Sequence, residues 1–595
     1  MSDFKRNNLD KSLSPYLLQH TNNPVWWQEW SAETLQQAVE AGRPLFVSVG
    51  YATCHWCHVM AAESFSDKDT ADFLNSHFVC IKVDREQRPD IDQFMMNFIH
   101  AQGGNGGWPL NVFLTADLRP IYALTYAPVH STGAQHSLMS IAKQVLTYYE
   151  KNLADIPPFV ASEEQPPVAA EESIVQGLFS YYDQDYGGFG HAQKFPPHST
   201  LLYLLYFLCV ENNSAAVAIC RQTLDAMRLR GLHDHLQGGI FRYCVDRQWT
   251  IPHFEKMLYD QAMALWTYSL AYKVMGNNEY KKMAERIVRC LDECFADSNT
   301  ELFISAHDAD TKHVEGATYV WRYAELRDAI TPEEFKRLRE SYDIDETGNF
   351  EGRIHLIRKN DVPLPDVEGK LLALRKRRAQ PQPDKKILCG INALVAIALI
   401  QAGRNLGKPE LQEKATQTIR RLIDLFWDGK TLGHSFYNGV RQEQNFLFDA
   451  AALLVAISML YEADSSWNAL MNKMSAYVES FRDGEKWVES RSTDFQPVLA
   501  SWFDHPVPSS ISLAEMGKTR VALLTGEETQ FKSYRAPHQA DFFNITAMMN
   551  NGLFHLITSD GAIPWFELPA NALQKRGLPE TDCYRGTCSI RHGKI

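Results

Sequence analysis

The chain lacks the features that mark several large classes of protein. No run of about 18 apolar residues is evident, so no membrane span is expected. The opening residues, Met1-Ser-Asp-Phe-Lys-Arg-Asn-Asn8, have no apolar core of the kind an export signal carries, and the expected location is the cytoplasm. Cysteine is sparse, at 11 in 595 residues. Those at 80, 209, 220, 244, 290, 294 and 389 lie mostly in apolar or helical context, as buried thiols do. Charge of one sign is never concentrated: a net charge of −13 is spread over 59 basic and 72 acidic residues. That balance argues against nucleic acid or an anionic membrane as partner and suits polar small molecules. The length exceeds one ordinary core, so two or more domains are expected.

What is present centres on Pro44-Leu-Phe-Val-Ser-Val-Gly-Tyr-Ala-Thr-Cys54-His-Trp-Cys57-His-Val-Met60. Leu45 to Val49 reads as a buried strand bounded by Gly50, and the two cysteines open the following helix. Unpaired N–H groups and the helix dipole there favour a thiolate at Cys54, with Cys57 one turn behind to resolve a mixed disulfide. A protonated His55 would stabilise that thiolate further. Three other readings of the motif exist. Haem attachment fits Cys-x-x-Cys-His58 but lacks an export signal. Zinc would need ligands beyond His55 and His58, and no second Cys-x-x-Cys exists. The pair could also be merely structural. No cofactor and no metal are expected.

The chain order supports a redox reading. Ser31 is a plausible cap for an early helix, and Trp26, Trp27 and Trp30 read as packing anchors. Phe78 to Asp84 is a second strand, Asn111 to Thr115 a third entered by Pro109, which is a candidate cis proline, and Tyr122 to Tyr126 a fourth. A helix closes near Lys151. This order of strands and helices is that of a thioredoxin fold, in which a proline loop faces the cysteine pair. Residues 156–172, rich in proline and glutamate, read as a linker between a domain at 1–155 and another at 173–595.

From about 173 the pattern changes to some twelve helical stretches, among them 320–341 and 541–557. Successive pairs suggest helical hairpins in a ring, although periodicity alone supports a solenoid equally well. Several motifs then carry a closer likeness: Gly50 to Met60, Glu63-Ser-Phe65, Lys82-Val-Asp-Arg-Glu86, Arg88-Pro-Asp90 and Gly106-Gly-Trp-Pro-Leu-Asn-Val-Phe-Leu-Thr115. They resemble the YyaL family of thioredoxin-like proteins, which includes spermatogenesis-associated members. Asp185-Tyr-Gly-Gly-Phe-Gly190, Gly231 to Gly239, Pro252 to Asp260, Asp308-Ala-Asp310 and Gly348 to Gly352 resemble the family's second half. That half is similar to six-hairpin glycosidases and N-acylglucosamine 2-epimerases. The resemblance implies a multidomain chain, an α/β thioredoxin-like domain followed by an all-α (α/α)6 barrel. It thins after about residue 380. The terminal Cys583-x4-Cys588 also resembles the family's last stretch and reads as a surface loop, the alternative being exchange with Cys54 and Cys57.

In such a barrel the loops at the inner helix ends line one cavity. His253, Glu255, Asp260, Asp308 and Asp310 are the candidate acid–base groups, and His235, Arg242 and Trp249 the candidate binding groups. An extended backbone puts Asp308 and Asp310 on one side, where like charge raises one pKa and supplies a general acid. Trp249 and Trp321 are candidate sugar-stacking faces. The competing reading is a salt-bridged network at the barrel mouth, with Arg242 and Lys256 as partners. Three functions stay open at this point. One is a thiol–disulfide oxidoreductase, with Cys54 attacking, Cys57 resolving, Pro109 shaping the groove and Asp84 assisting proton transfer. The second is a sugar epimerase or glycosidase, and the third a redox-sensing scaffold without turnover. The expected partners are a redox protein, a small sugar, or both.

Overall fold

The computed structural model describes residues 4–133, 135–160, 171–526, 555–559 and 563–576, with the short strands 583–584, 587–588 and 590–591. The first domain is built on five strands: β1 (Gln28–Glu29), β2 (Leu45–Gly50), β3 (Val79–Asp84), β4 (Leu110–Leu114) and β5 (Pro120–Leu124). Their order in the sheet is β1-β3-β2-β4-β5. The first three run parallel, and β4 and β5 antiparallel to their neighbours. β2 and β3 are buried at every position, which is why both read as continuous apolar runs rather than alternating ones. Helices Lys68–His77 and Leu138–Asn152 pack on one another, and Pro89–Ala101 packs on β4 and β5.

In the second domain, five helices among the described residues are buried along nearly all their length: His198–Phe207, Leu258–Met275, Cys389–Leu406, Leu447–Ala463 and Ser510–Thr525. Each packs against the next in that order. Outside them lie Ser214–Leu229, Asn278–Cys290, Pro409–Phe426 and Asn468–Glu479, which bury one face and pack on the inner helix before them in the chain. Inner helices apolar all round and outer helices amphipathic are what a ring of hairpins demands. Left-handed Gly276 (φ 70°) and Gly407 (φ 68°) end two of the inner helices and turn the chain outward. Cys389–Leu406 has a mean hydropathy of 1.3 over 18 residues and is 94% buried inside the ring, which accounts for an apolar stretch of that length. The domain is therefore a helical barrel.

Two expected helices differ. The stretch 320–341 is broken into Tyr323–Asp328 and Pro332–Ser341 because Thr331 caps a new start with proline at its first position. With Pro365–Arg375 these segments enclose a small core of their own around Trp321, Phe335 and Tyr342. The stretch 541–557 falls mostly outside the described residues, and its end belongs to the strand His555–Ser559.

The two domains share a core. One hydrophobic cluster runs from Trp27, Phe46 and Cys57 through to the inner helices. On the other face of the sheet, Phe495 of the barrel domain packs edge-on against Trp30 and Phe94, at ring distances of 5.4 and 5.3 Å. Phe159, in the expected linker, packs on Phe94 and Phe98.

Candidate functional site

Cys54 caps the helix His55–Ala62: its sulfur accepts the backbone N–H of Cys57 at 3.2 Å. The two cysteines are joined as a disulfide. The pair is buried, with Cys54 3% and Cys57 1% exposed, in the hydrophobic cluster that the two domains share, whereas Trp56 between them is 50% exposed. The Trp108–Pro109 bond is cis, and Trp108 stands edge-on to Tyr51 at 5.8 Å. Arg85 lies over the Trp108 ring at 3.9 Å.

The loop leading to Cys54 forms part of the barrel mouth. Tyr51 Oη donates to Glu255 Oε2 at 3.2 Å, and Thr53 Oγ1 donates to Glu255 Oε1. Burial pushes the Glu255 carboxyl up, against the pull of His253, Thr53 and Arg242. Burial also pushes Asp260 up to about 7, although Arg242 Nη1 lies 3.4 Å away. The Arg242 guanidinium sits over the Tyr259 ring at 5.0 Å and the Phe195 ring at 5.7 Å. His253 Nδ1 contacts Glu315 at 2.6 Å, which turns its Nε2 toward Glu255 at 3.7 Å. Phe195 stacks on Tyr243 at 4.6 Å, and His253 and His505 extend this aromatic wall. Burial lowers His505 to about 3, so it is a neutral imidazole at ordinary pH.

Beside this wall the helix after Cys54 meets the barrel directly. His55 Nδ1 is 2.9 Å from Asp310 Oδ1, and His58 Nδ1 is 3.5 Å from Asp310 Oδ2. Against the effect of burial, these two histidines hold Asp310 well below the usual carboxylate range. His55 therefore faces a carboxylate of the other domain, which is a different partner from the expected Cys54 thiolate. Asp308 and Asp310 do face the same side, through a tight turn in which the Asp310 N–H donates to Asp308 Oδ1 at 3.0 Å.

Asp84 is not free for proton transfer. It accepts from Ser14 Oγ and Lys386 Nζ, both at 2.6 Å. Lys386 is fully buried and also contacts Glu86 at 2.8 Å and Asp384 at 3.2 Å. Burial would strip its proton, but the three carboxylates raise its pKa well above the ordinary value, while burial pushes Asp384 up to about 7. This knot joins both domains.

Three expected binding residues lie elsewhere. Trp249 is fully buried, with its indole donating to Gly187 O at 3.3 Å, so it packs under a loop and offers no face. Trp321 is likewise enclosed, beneath Arg378 at 3.8 Å. His235 lines a separate cleft with His233, Arg286 and Arg358. Lys256 is drawn to Asp234 at 2.7 Å, which is the structural pairing also held by Arg375. Tyr51, Tyr243, Phe195, His505 and Lys386 were not singled out by sequence reasoning. Tyr51, Phe195 and Tyr243 do stand in stretches that resemble the family, Gly50 to Met60, Lys194-Phe-Pro196 and Phe241-Arg-Tyr243, and that was the available signal. Cys583 and Cys588 are paired in register across a two-residue antiparallel ladder, and their side chains lie outside the described residues.

The fold and site define a class: a thioredoxin-like domain with a Cys-x-x-Cys helix, fused to a helical barrel and forming part of its mouth. The family model Thioredox_DsbH, described as a protein of unknown function, DUF255, matches residues 6–162. The chain is 33% identical over 536 residues to spermatogenesis-associated protein 20 of Homo sapiens, covering 78% of this chain and 68% of that one. It is 34% identical over 529 residues to an uncharacterized protein of Caenorhabditis elegans, covering 78% and 72%. The chain belongs to the spermatogenesis-associated protein 20 family. A shorter stretch of 65 residues is 38% identical to cellobiose 2-epimerase of Bacteroides fragilis, covering 11% of this chain and 17% of that one.

Proposed function

We propose that the barrel takes a small sugar and performs proton-transfer chemistry on it, and that the Cys54–Cys57 couple controls the shape of the site. The observation that carries this reading is the pair of hydrogen bonds from Tyr51 and Thr53, immediately before Cys54, to Glu255. Two electrons and two protons from a dithiol convert the disulfide to two thiols, while the dithiol becomes a disulfide. The helix cap at Cys54 changes with it, and so does the loop that holds Glu255. Asp260, pushed up to about 7, is a general acid poised near neutral pH. Glu255 is the matching carboxylate, His253 is aligned by Glu315, and the Phe195–Tyr243 stack suits the apolar face of a pyranose. The local likeness to a cellobiose 2-epimerase supports this choice of substrate class.

The test is thermal-shift screening of mono- and disaccharides against the oxidised and the reduced protein. Binding raises stability by mass action. The expected result is a sugar-dependent shift that differs between the two redox states and is lost in Glu255→Gln. A shift identical in both states would reject redox control, and no shift with any sugar would reject the substrate class.

A second reading, thiol–disulfide exchange with a protein, is favoured by the half-exposed Trp56, whose ring lies 5.4 Å from that of Tyr126 beside the cysteine helix. A Cys57→Ser variant that traps a partner by a mixed disulfide at Cys54 would support it. Both readings fit a reducing cytoplasm, with the buried thiols such as Cys80, Cys220 and Cys389 unpaired.

A further inference from the structure

We infer that His58, Asp308 and Asp310 form a binding site for a divalent cation of the zinc class, built across the domain boundary. One nitrogen and two carboxylate oxygens lie within 4.8 Å of one another. The carboxylates are buried, with side chains 9% and 7% exposed, and His58 is 19% exposed. The ligand set includes neither Glu255 nor Asp260, so the argument does not depend on the proposed sugar chemistry.

The geometry around His58 points to a shared ion. Its Nε2 is 2.9 Å from the Ala52 carbonyl, so that nitrogen carries the hydrogen and donates. In the neutral ring the lone pair of Nδ1 then faces Asp310 Oδ2 at 3.5 Å and Asp308 Oδ1 at 3.8 Å. These separations exceed a good hydrogen bond. They are close to the roughly 3.3–3.5 Å between neighbouring ligands in a tetrahedron with metal–ligand bonds of about 2.0–2.2 Å. A backbone carbonyl holding the distal N–H of a ligating histidine is the usual outer-shell arrangement.

The surroundings complete it. His55 Nδ1 engages Asp310 Oδ1 at 2.9 Å, which leaves Oδ2 directed at His58. The Asp310 N–H holds Asp308 Oδ1. An imidazole with two carboxylates suits zinc, manganese or iron(II) rather than magnesium or calcium, which prefer oxygen alone. Three protein ligands leave a coordination position open for water or substrate. Two of the ligands come from the barrel and one from the helix that Cys54 caps, so the ion would tie the redox helix to the barrel mouth. A second proton on His58 is the competing way to bring these atoms together, and metal titration separates the two.

The experiment uses the full oxidised chain, stripped with a chelator and titrated with Co2+ and then Zn2+. The expected result is one equivalent of Co2+ per chain, with visible d–d absorption displaced by Zn2+. His58→Ala and Asp308→Asn should each weaken binding at least 100-fold, and His55→Ala about 10–100-fold with the stoichiometry kept. Absence of stoichiometric binding by the unmodified chain would overturn the inference, whatever the variants do. So would binding that survives in His58→Ala with its affinity unchanged.

Discussion

The cysteine pair and the acid cluster at the barrel mouth lie side by side but are assembled in opposite ways. The first is local: strand β2, the capped helix and both sulfurs come from Leu45 to Ala62. The second is global: Glu255 and Asp260 have their environment set by Tyr51, Thr53 and Arg242, and the wall beside them is finished by Phe195 and His505. A local site keeps its chemistry while its own element folds, whereas a global one depends on the docking that brings its parts together. The buried Lys386 knot and the Phe495 contact supply that docking here.

The comparison can be broken or sharpened at four points. Cys54→Ser should have the largest effect, removing the disulfide and with it the redox dependence of the proposed site, while the helices of the barrel stay folded. Thiol titration and circular dichroism check the two halves of that statement. Lys386→Met leaves Asp84 and Glu86 buried without their cation and should cost about 3–5 kcal/mol in urea unfolding. It should loosen the barrel mouth more than the cysteine helix, as read by hydrogen exchange. Gly50→Ala is next. A Cβ there would lie 2.3 Å from Tyr16 Oη and 2.7 Å from Cys57 Sγ, so overpacking should cost about 1–3 kcal/mol. The loss should appear first in the local region.

The last comparison concerns pH, where the effect is read as a slope per unit. Folded Asp260 keeps its proton up to about 7, while the unfolded chain releases it near about 4. Between those values the native state binds more protons, so this group makes stability fall as pH rises, by up to about 1.4 kcal/mol per unit. Above about 7 its slope vanishes. Stability curves of Asp260→Asn and the unmodified chain, compared from pH 4 to 8, should diverge with that slope between about 4 and about 7 and run parallel above it.

Much of the local region was legible in sequence. The apolar run at Leu45 to Val49, the glycine after it and the spacing of Cys54 and Cys57 each reflect short-range physics: a doubly covered strand, a turn and one helical period. Asp308 and Asp310 were legible as a pair for the same reason. Their partners were not, because His55 and His58 lie some 250 positions earlier and no periodicity links them. Trp249 and Trp321 misled because an aromatic in a loop motif looks the same whether it faces a ligand or packs beneath the loop. The helix expected over 320–341 misled because Thr331-Pro332 reads as a minor interruption until its two halves are seen around a separate core.

By itself the sequence determined the elements: which runs become strands, where the redox helix begins, and that two kinds of domain follow one another. Each of those outcomes is set by neighbours within a turn or two of chain. Only the tertiary structure decided that Cys54 and Cys57 are buried in a core the two domains share, that Asp84 belongs to Lys386, and that His58 meets Asp308 and Asp310. Those outcomes depend on which apolar faces bury one another, and burial brings together charges whose distance along the chain carries no information about their distance in space.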